Sequence, residues 1–236
     1  MNLTDLYSTR IQKTFDEDQA EIVSILKANP KKVVKLINFY KGLPLSYPAT
    51  IDSVDRGTVD LDVQAEQAFA IEKNRAAFIR SPLFKHDVLA HLQYVNIKKK
   101  AATFAKFSYV EVMAERRNFI RMAPEPYPDT AIESPQGIIE GTLCDLSLSG
   151  LNISIDHSCP LERGTETVIR FTLRNLDQSI CIDVTVPATL IAITGDTLPR
   201  NYTFSINPGK LLERQLSQYI FQRQIEIIGE IKDAIA

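Results

Sequence analysis

Four prolines within a dozen residues, Pro124, Pro126, Pro128 and Pro135, divide this chain into two parts that no regular element can run between. Both parts read as β. Upstream, Val59, Leu61 and Val63 alternate with Thr58, Asp60 and Asp62 after an Asp55-Arg56-Gly57 turn, the period of a half-buried strand. Ala76–Ile79 and Val88–Val95 predict further strands parted by Ser81-Pro82, and Phe104, Phe107, Tyr109 and Val112 continue the pattern more loosely. Residues 64–73 fit a helical turn or a loop. Downstream, strands are predicted over 136–144, 151–155, 166–173, 180–193 and 201–206, with turns at Gly164, Asn175-Leu176-Asp177 and Gly195-Asp196. Pro187 falls inside one of these runs and marks an edge or a bulge there. Short strands at near-even spacing favour closed barrels, which leave no exposed edge.

Helices are expected at the two ends. Residues 1–15 are polar and unpatterned, hence loosely ordered. Asp16 and Gln19 form a capping-box pair ahead of Ile22, Val23, Ile25 and Leu26. Asn29-Pro30 restarts a second helix, with Val33, Val34, Leu36, Ile37 and Tyr40 on its apolar stripe and Gly42 at its end. At the C-terminus, Leu212, Leu216, Tyr219, Ile220, Arg223, Ile227, Ile231 and Ile235 recur at helical spacing over 209–235. Such a helix is roughly 40 Å long at 1.5 Å per residue, longer than a small barrel is wide, so part of it packs on another domain or another subunit. The expected fold is mainly β: two small antiparallel β-barrel domains, short N-terminal helices and a long C-terminal helix. The domains are expected over 1–114 and 115–236.

Composition narrows the function classes. A hydrophobic fraction of 44% and a charged fraction of 24% suit a soluble globular protein. A net charge of −2 argues against binding a nucleic acid polymer, so any anion site has to be a local cluster. Three unpaired-looking cysteines, Cys144, Cys159 and Cys181, fit a reducing cytosol. Neither a signal peptide nor a run near the about 18 apolar residues of a membrane span is read, so a cytoplasmic location is expected.

The usual catalytic sets fail. His86, His91 and His157 lack ligand spacing, so no zinc site is expected. Ser147 lacks the glycine that precedes the nucleophile of a hydrolase elbow. The nine glycines build no phosphate loop. Asp60 and Asp62 read as a solvated strand face, and Lys98, Lys99 and Lys100 as a solvated charge run. Nothing recommends an enzyme.

The stretch from Glu115 to Gly150 stands apart. Arg116, Arg117 and Arg121 cluster just ahead of the prolines, and guanidinium groups suit phosphate oxygens and the O6/N7 edge of guanine. Taken alone, they are equally a solvated basic linker. Asp145-Leu146-Ser147-Leu148-Ser149-Gly150 reads alone as a turn in which Asp and Ser bond the backbone and Gly supplies positive φ. Its carboxylate also suits the N1–H and N2–H₂ donors of guanine.

Together, Arg117-x-x-x-Arg121 and Asp145-x-Ser147-x-x-Gly150, with Arg116 just before, resemble the paired signature of the PilZ domain, a cyclic di-GMP receptor. The order of elements and Lys41-Gly42-Leu43-Pro44-Leu45 further resemble the flagellar brake family, which pairs an N-terminal split barrel with a C-terminal PilZ domain. Ser149 stands where many PilZ domains carry a second glycine, and Tyr202–Ile206 lacks a glycine often found in the last strand. The resemblance implies that Arg116, Arg117 and Arg121 grip phosphates and guanine edges, that Asp145 and Ser147 bond guanine, and that Gly150 admits the backbone. It implies cyclic di-GMP as ligand, no other cofactor, and a flagellar motor component as protein partner at the basal body. Ligand binding is expected to reorient the domains, and a homodimer stays open. Two other readings stay open as well: a degenerate PilZ interaction module without nucleotide, and a flavin-like cofactor in the N-terminal barrel.

Overall fold

The computed structural model describes residues 6–135, 137–176 and 179–236, with Glu115 described by its backbone alone. Residues 1–5, Gln136 of one predicted strand and Asp177 of one predicted turn lie outside the described residues. The described residues form two compact units, one holding 6–118 together with Ile227–Ala236, the other Phe119–Glu226.

The N-terminal unit contains strands β1 (Tyr7–Thr9), β2 (Val33–Tyr40), β3 (Leu43–Asp55), β4 (Thr58–Asp62), β5 (Ala76–Arg80), β6 (Asp87–Asn96) and β7 (Ala101–Val112). Helices α1 (Phe15–Lys27) and α2 (Ala65–Asn74) complete it. The order β7-β4-β3-β2-β5-β6 closes through a β6–β7 pairing, and β1 adds to β7 beyond the end of β4. Tyr7–Thr9 is thus paired strand rather than the loose segment expected from its polarity.

The predicted second helix is a strand. β2 buries Val34 and Leu36 in one cluster and Ile37 and Phe39 in another, so both faces are covered and its alternation is hidden. A short apolar run of this kind reads equally as helix or strand. Lys41 (φ 49°) and Gly42 (φ 93°) turn β2 into β3, so this glycine closes a hairpin, not a helix. Asn29 donates from Nδ2 to the Ile25 carbonyl at 2.8 Å and finishes α1 instead of opening a helix. The cap of α1 also differs from the expected pair. Thr14 accepts from the Glu17 N–H at 3.3 Å and donates to the Glu17 carboxylate at 2.8 Å.

Below α2 lies a buried amide network. Gln67 donates to Asn38 Oδ1 at 2.6 Å, and Asn38 donates to the Ala76 carbonyl at 2.7 Å and to Asn74 at 2.9 Å. These bonds tie α2 to β2 and to the start of β5, although the Gln67 Oε1 is buried with no partner among the described residues.

The second unit is a closed antiparallel barrel in the order β8-β9-β10-β13-β12-β11. Its strands are β8 (Asp129–Ser134), β9 (Gly137–Leu146), β10 (Gly150–Ile155), β11 (Glu166–Arg174), β12 (Cys181–Thr194) and β13 (Arg200–Ile206). β8 was not foreseen. Its few apolar residues sit among prolines, yet it closes the ring between β11 and β9. Pro187 behaves as expected of an edge: β12 pairs with β13 from Ala188 onward, and before that residue with β11 alone. Helix α3 (Lys210–Ile235) follows, and within this unit it buries Leu216, Tyr219 and Arg223. Burial pushes the Tyr219 hydroxyl up to about 12.

Candidate functional site

β9 enters the site with a bulge. Leu151 faces Leu146 and Asn152 faces Asp145, but Ile153 faces Leu143, so Cys144 is the extra residue. Strict alternation would put Asp145 on the same inward face as Leu143. The bulge turns Asp145 outward and returns Leu146 to the core, where it is fully buried. Asp145 is 9% exposed and accepts from Asn152 Nδ2 at 3.2 Å. The Asn152 Oδ1 is buried with no partner among the described residues. An orphaned acceptor beside a carboxylate leaves hydrogen-bonding capacity unspent, which native interiors rarely tolerate. Sequence reasoning missed Asn152; its signal is a polar residue across the hairpin from Asp145.

Ser147 organises the turn. Its N–H donates to the Gly150 carbonyl at 2.8 Å, and its hydroxyl contacts the same carbonyl at 3.3 Å and the Ser149 N–H at 3.4 Å. Gly150 does not have the positive φ expected of it. Its requirement is space: a Cβ there would meet the Phe204 carbonyl at 3.1 Å, across the β10–β13 pairing. Gly150→Ala is therefore expected to cost about 1 kcal/mol or more, read as a lower urea midpoint with an unchanged slope.

One arginine of the cluster joins this unit. Met122 and Leu146 exchange two backbone hydrogen bonds of 2.9 Å as an isolated antiparallel bridge, and both side chains are fully buried. The next pair outward is Arg121 and Ser147, on the side away from the core. Among the described residues the Arg121 guanidinium has no ion-pair partner. Arg116 and Arg117 belong to the N-terminal unit. There Arg116 ends a short 3-10 turn (Met113–Arg116) and pairs with Glu111, which also receives Arg10. The Arg117 N–H closes that turn on the Ala114 carbonyl at 3.4 Å.

The outer barrel surface continues from Asp145 and Asn152 to Thr142 and Ser154, which pair in the same hairpin. These two line a concavity of about 1240 Å³ that also involves Tyr127, His157, Arg170 and Arg174. That exceeds the about 300–1,000 Å³ of ordinary small-molecule clefts. The His157 ring holds the Asp156 carboxyl below its usual range through a 3.0 Å hydrogen bond. Burial raises the Cys144 thiol, so it is not an activated nucleophile. Among the described residues no group of three or more His, Cys, Asp or Glu could hold a metal ion, and no helix is long and apolar enough to cross a membrane.

A closed six-stranded antiparallel barrel, entered by an arginine-bearing segment and carrying an Asp-x-Ser-x-x-Gly turn, defines a known class. The PilZ domain family model matches residues 115–222. Solved structures resemble the chain over most of its length. One is YcgR from Escherichia coli in complex with c-di-GMP, 19% identical, covering 99% of each chain, with a TM-score of 0.45. Another is the Bacillus subtilis inhibitor of motility MotI/DgrA, 13% identical, covering 84% of this chain and 98% of that one, with a TM-score of 0.43. A third is the K. pneumonia MrkH–c-di-GMP complex, 12% identical, covering 94% of this chain and 100% of that one, with a TM-score of 0.47. A search of the curated proteins finds no match.

Proposed function

We propose that this protein is a non-enzymatic cyclic di-GMP effector. The observation that carries the reading is the PilZ match enclosing all six signature residues, with Arg121 fastened beside Ser147 by the Met122–Leu146 bridge. In this reading Arg116, Arg117 and Arg121 hold phosphates and guanine edges through charge-assisted hydrogen bonds. Asp145 accepts from the guanine N1–H and N2–H₂ groups, and Asn152 supplies its unused acceptor to the same base. Ser147 keeps the turn in shape and offers its hydroxyl, while Gly150 lets the strands approach. The proposed domains are 1–114, similar to the flagellar brake N-terminal barrel, and 115–236, the PilZ domain with its linker arginines. Ligand would tie the arginines to the second barrel, reorient the first, and change the surface offered to a protein partner. That partner would be a flagellar motor component, and the site of action the cytoplasmic side of the basal body.

Isothermal titration with cyclic di-GMP tests the binding. Saturable heat at micromolar protein is expected, and its absence would leave an interaction module without nucleotide. Small-angle scattering with and without ligand tests the reorientation, which an unchanged profile at saturation excludes.

A further inference from the structure

β7 ends in an alternation that turns Glu111 outward, since Val110 and Val112 on either side of it are buried. The chain then enters the short 3-10 turn, which brings Arg116 back to the strand it has just left, where its Nη2 donates to Glu111 Oε1. The other carboxylate oxygen is taken by Arg10. Its Nε donates to Oε2 at 3.0 Å, and its Nη2 donates to the same oxygen. Backbone pairing holds Arg10 there: β1 sets Ser8 opposite Glu111 and Thr9 opposite Val110, and the Arg10 N–H donates to the Tyr109 carbonyl at 2.8 Å. One carboxylate thus serves two guanidinium groups, and of these only Arg116 is among the arginines assigned to nucleotide.

We propose that Glu111 is the resting partner of Arg116, and that Arg10 keeps the carboxylate compensated when nucleotide takes Arg116 away. The role rests on the cyclic di-GMP reading and makes Glu111 a positioning residue for it. Geometry decides which arginine leaves. Arg116 makes one bond and its side chain is 62% exposed, whereas Arg10 makes two and is 49% exposed. Glu111 itself is 23% exposed, so losing both partners would strand a largely desolvated charge. With Arg10 in place, the departure of Arg116 breaks a single solvent-screened contact, and such contacts are weak. A pair of this strength biases the site without blocking it. It orders Arg116 in the unliganded protein and lowers affinity by a small factor. A carboxylate that merely lay near the site would act differently, by repelling an anionic ligand whether or not Arg116 were present.

Titration calorimetry with cyclic di-GMP on single and double variants of the full chain tests this. Glu111→Gln keeps the size of the side chain and removes its charge, and is expected to bind about two- to fivefold more tightly than the parent. In a chain that also carries Arg116→Ala, the same substitution is expected to leave affinity unchanged, because the residue it frees is gone. Arg10→Ala is expected to bind about two- to fivefold more weakly, since Glu111 then depends on Arg116 alone. Arg10→Ala/Glu111→Gln is expected to match Glu111→Gln. Saturable heat from the parent with an unchanged or weaker affinity for Glu111→Gln overturns this role and leaves the receptor reading standing. An equal gain with and without Arg116 overturns it as well, since Glu111 would then act only as a negative charge beside an anion. A parent chain that gives no heat removes the receptor reading and this role with it.

Discussion

Replacing Arg121 with alanine is expected to weaken cyclic di-GMP binding at least about a hundredfold. A bidentate guanidinium contact supplies two charge-assisted hydrogen bonds, each worth about 1.5–3 kcal/mol, and a tenfold change in affinity is about 1.4 kcal/mol. Arg121 can make that contact without first giving up another, because its guanidinium has no ion-pair partner among the described residues. Its tether is also fixed, through the bridge from Met122 to Leu146 one residue away. Arg116 differs on this point. It has to leave Glu111 before it can bind a phosphate, so part of its gain is offset, and Arg116→Ala is expected to lose about tenfold. Arg121→Lys keeps the charge but not the fork and falls between the two. Titration calorimetry of the three variants at one salt concentration gives the ranking. Equal affinity of Arg121→Ala and the parent protein would remove the arginine segment from the site.

Much of this site was legible because signature chemistry resides in residue types, and types are visible in a sequence. Arg121, Asp145 and Ser147 could be picked out without coordinates. What was not legible is what aims them. The bulge at Cys144 decides that Asp145 faces out, and nothing in Leu143-Cys144-Asp145-Leu146 marks where an extra residue sits. Asn152 was missed for the same reason: its importance is a register partner, which a one-dimensional pattern does not contain. For Gly150 the turn reading expected a positive φ that it does not have, and what excludes a side chain is the close approach of the Phe204 carbonyl, a partner that no sequence pattern names. The fold shows the same division. α3, with one face buried along its length, was readable from spacing. β2 was not, because burial on both faces erases the alternation that identifies a strand. β8 was hidden because its few apolar residues lie between Pro128 and Pro135, and the need for it emerges from the ring that it completes.

The largest stability effect is expected at Arg223, which the sequence offered merely as one position of a helical stripe. Its side chain is 0% exposed. Nη1 meets the Glu226 carboxylate at 2.9 Å, Nη2 the Glu125 carboxylate, and Nε the Ala123 carbonyl at 3.4 Å. These bonds fasten residues 123–125 to α3 within one unit, immediately after the bridge that carries Arg121. Arg223→Ala leaves two carboxylates facing each other across a cavity, and breaking a buried pair from one side costs about 3–5 kcal/mol. That is a large share of the about 5–15 kcal/mol that holds a domain folded. Urea unfolding of the full chain is expected to show the transition of the second unit moving to much lower denaturant. Arg223→Met combined with Glu125→Gln and Glu226→Gln removes every charge of the cluster together, and its loss is expected to be far smaller than that of Arg223→Ala, because no charge is left unpaired. The triple variant separates two roles. If the cluster serves stability alone, the variant binds cyclic di-GMP as the parent does. If it also holds the arginine segment in register, affinity falls although the fold is retained, and fastening at residues 123–125 predicts that fall. A loss below about 1 kcal/mol for Arg223→Ala would mean that the buried guanidinium is not the clasp that its contacts describe.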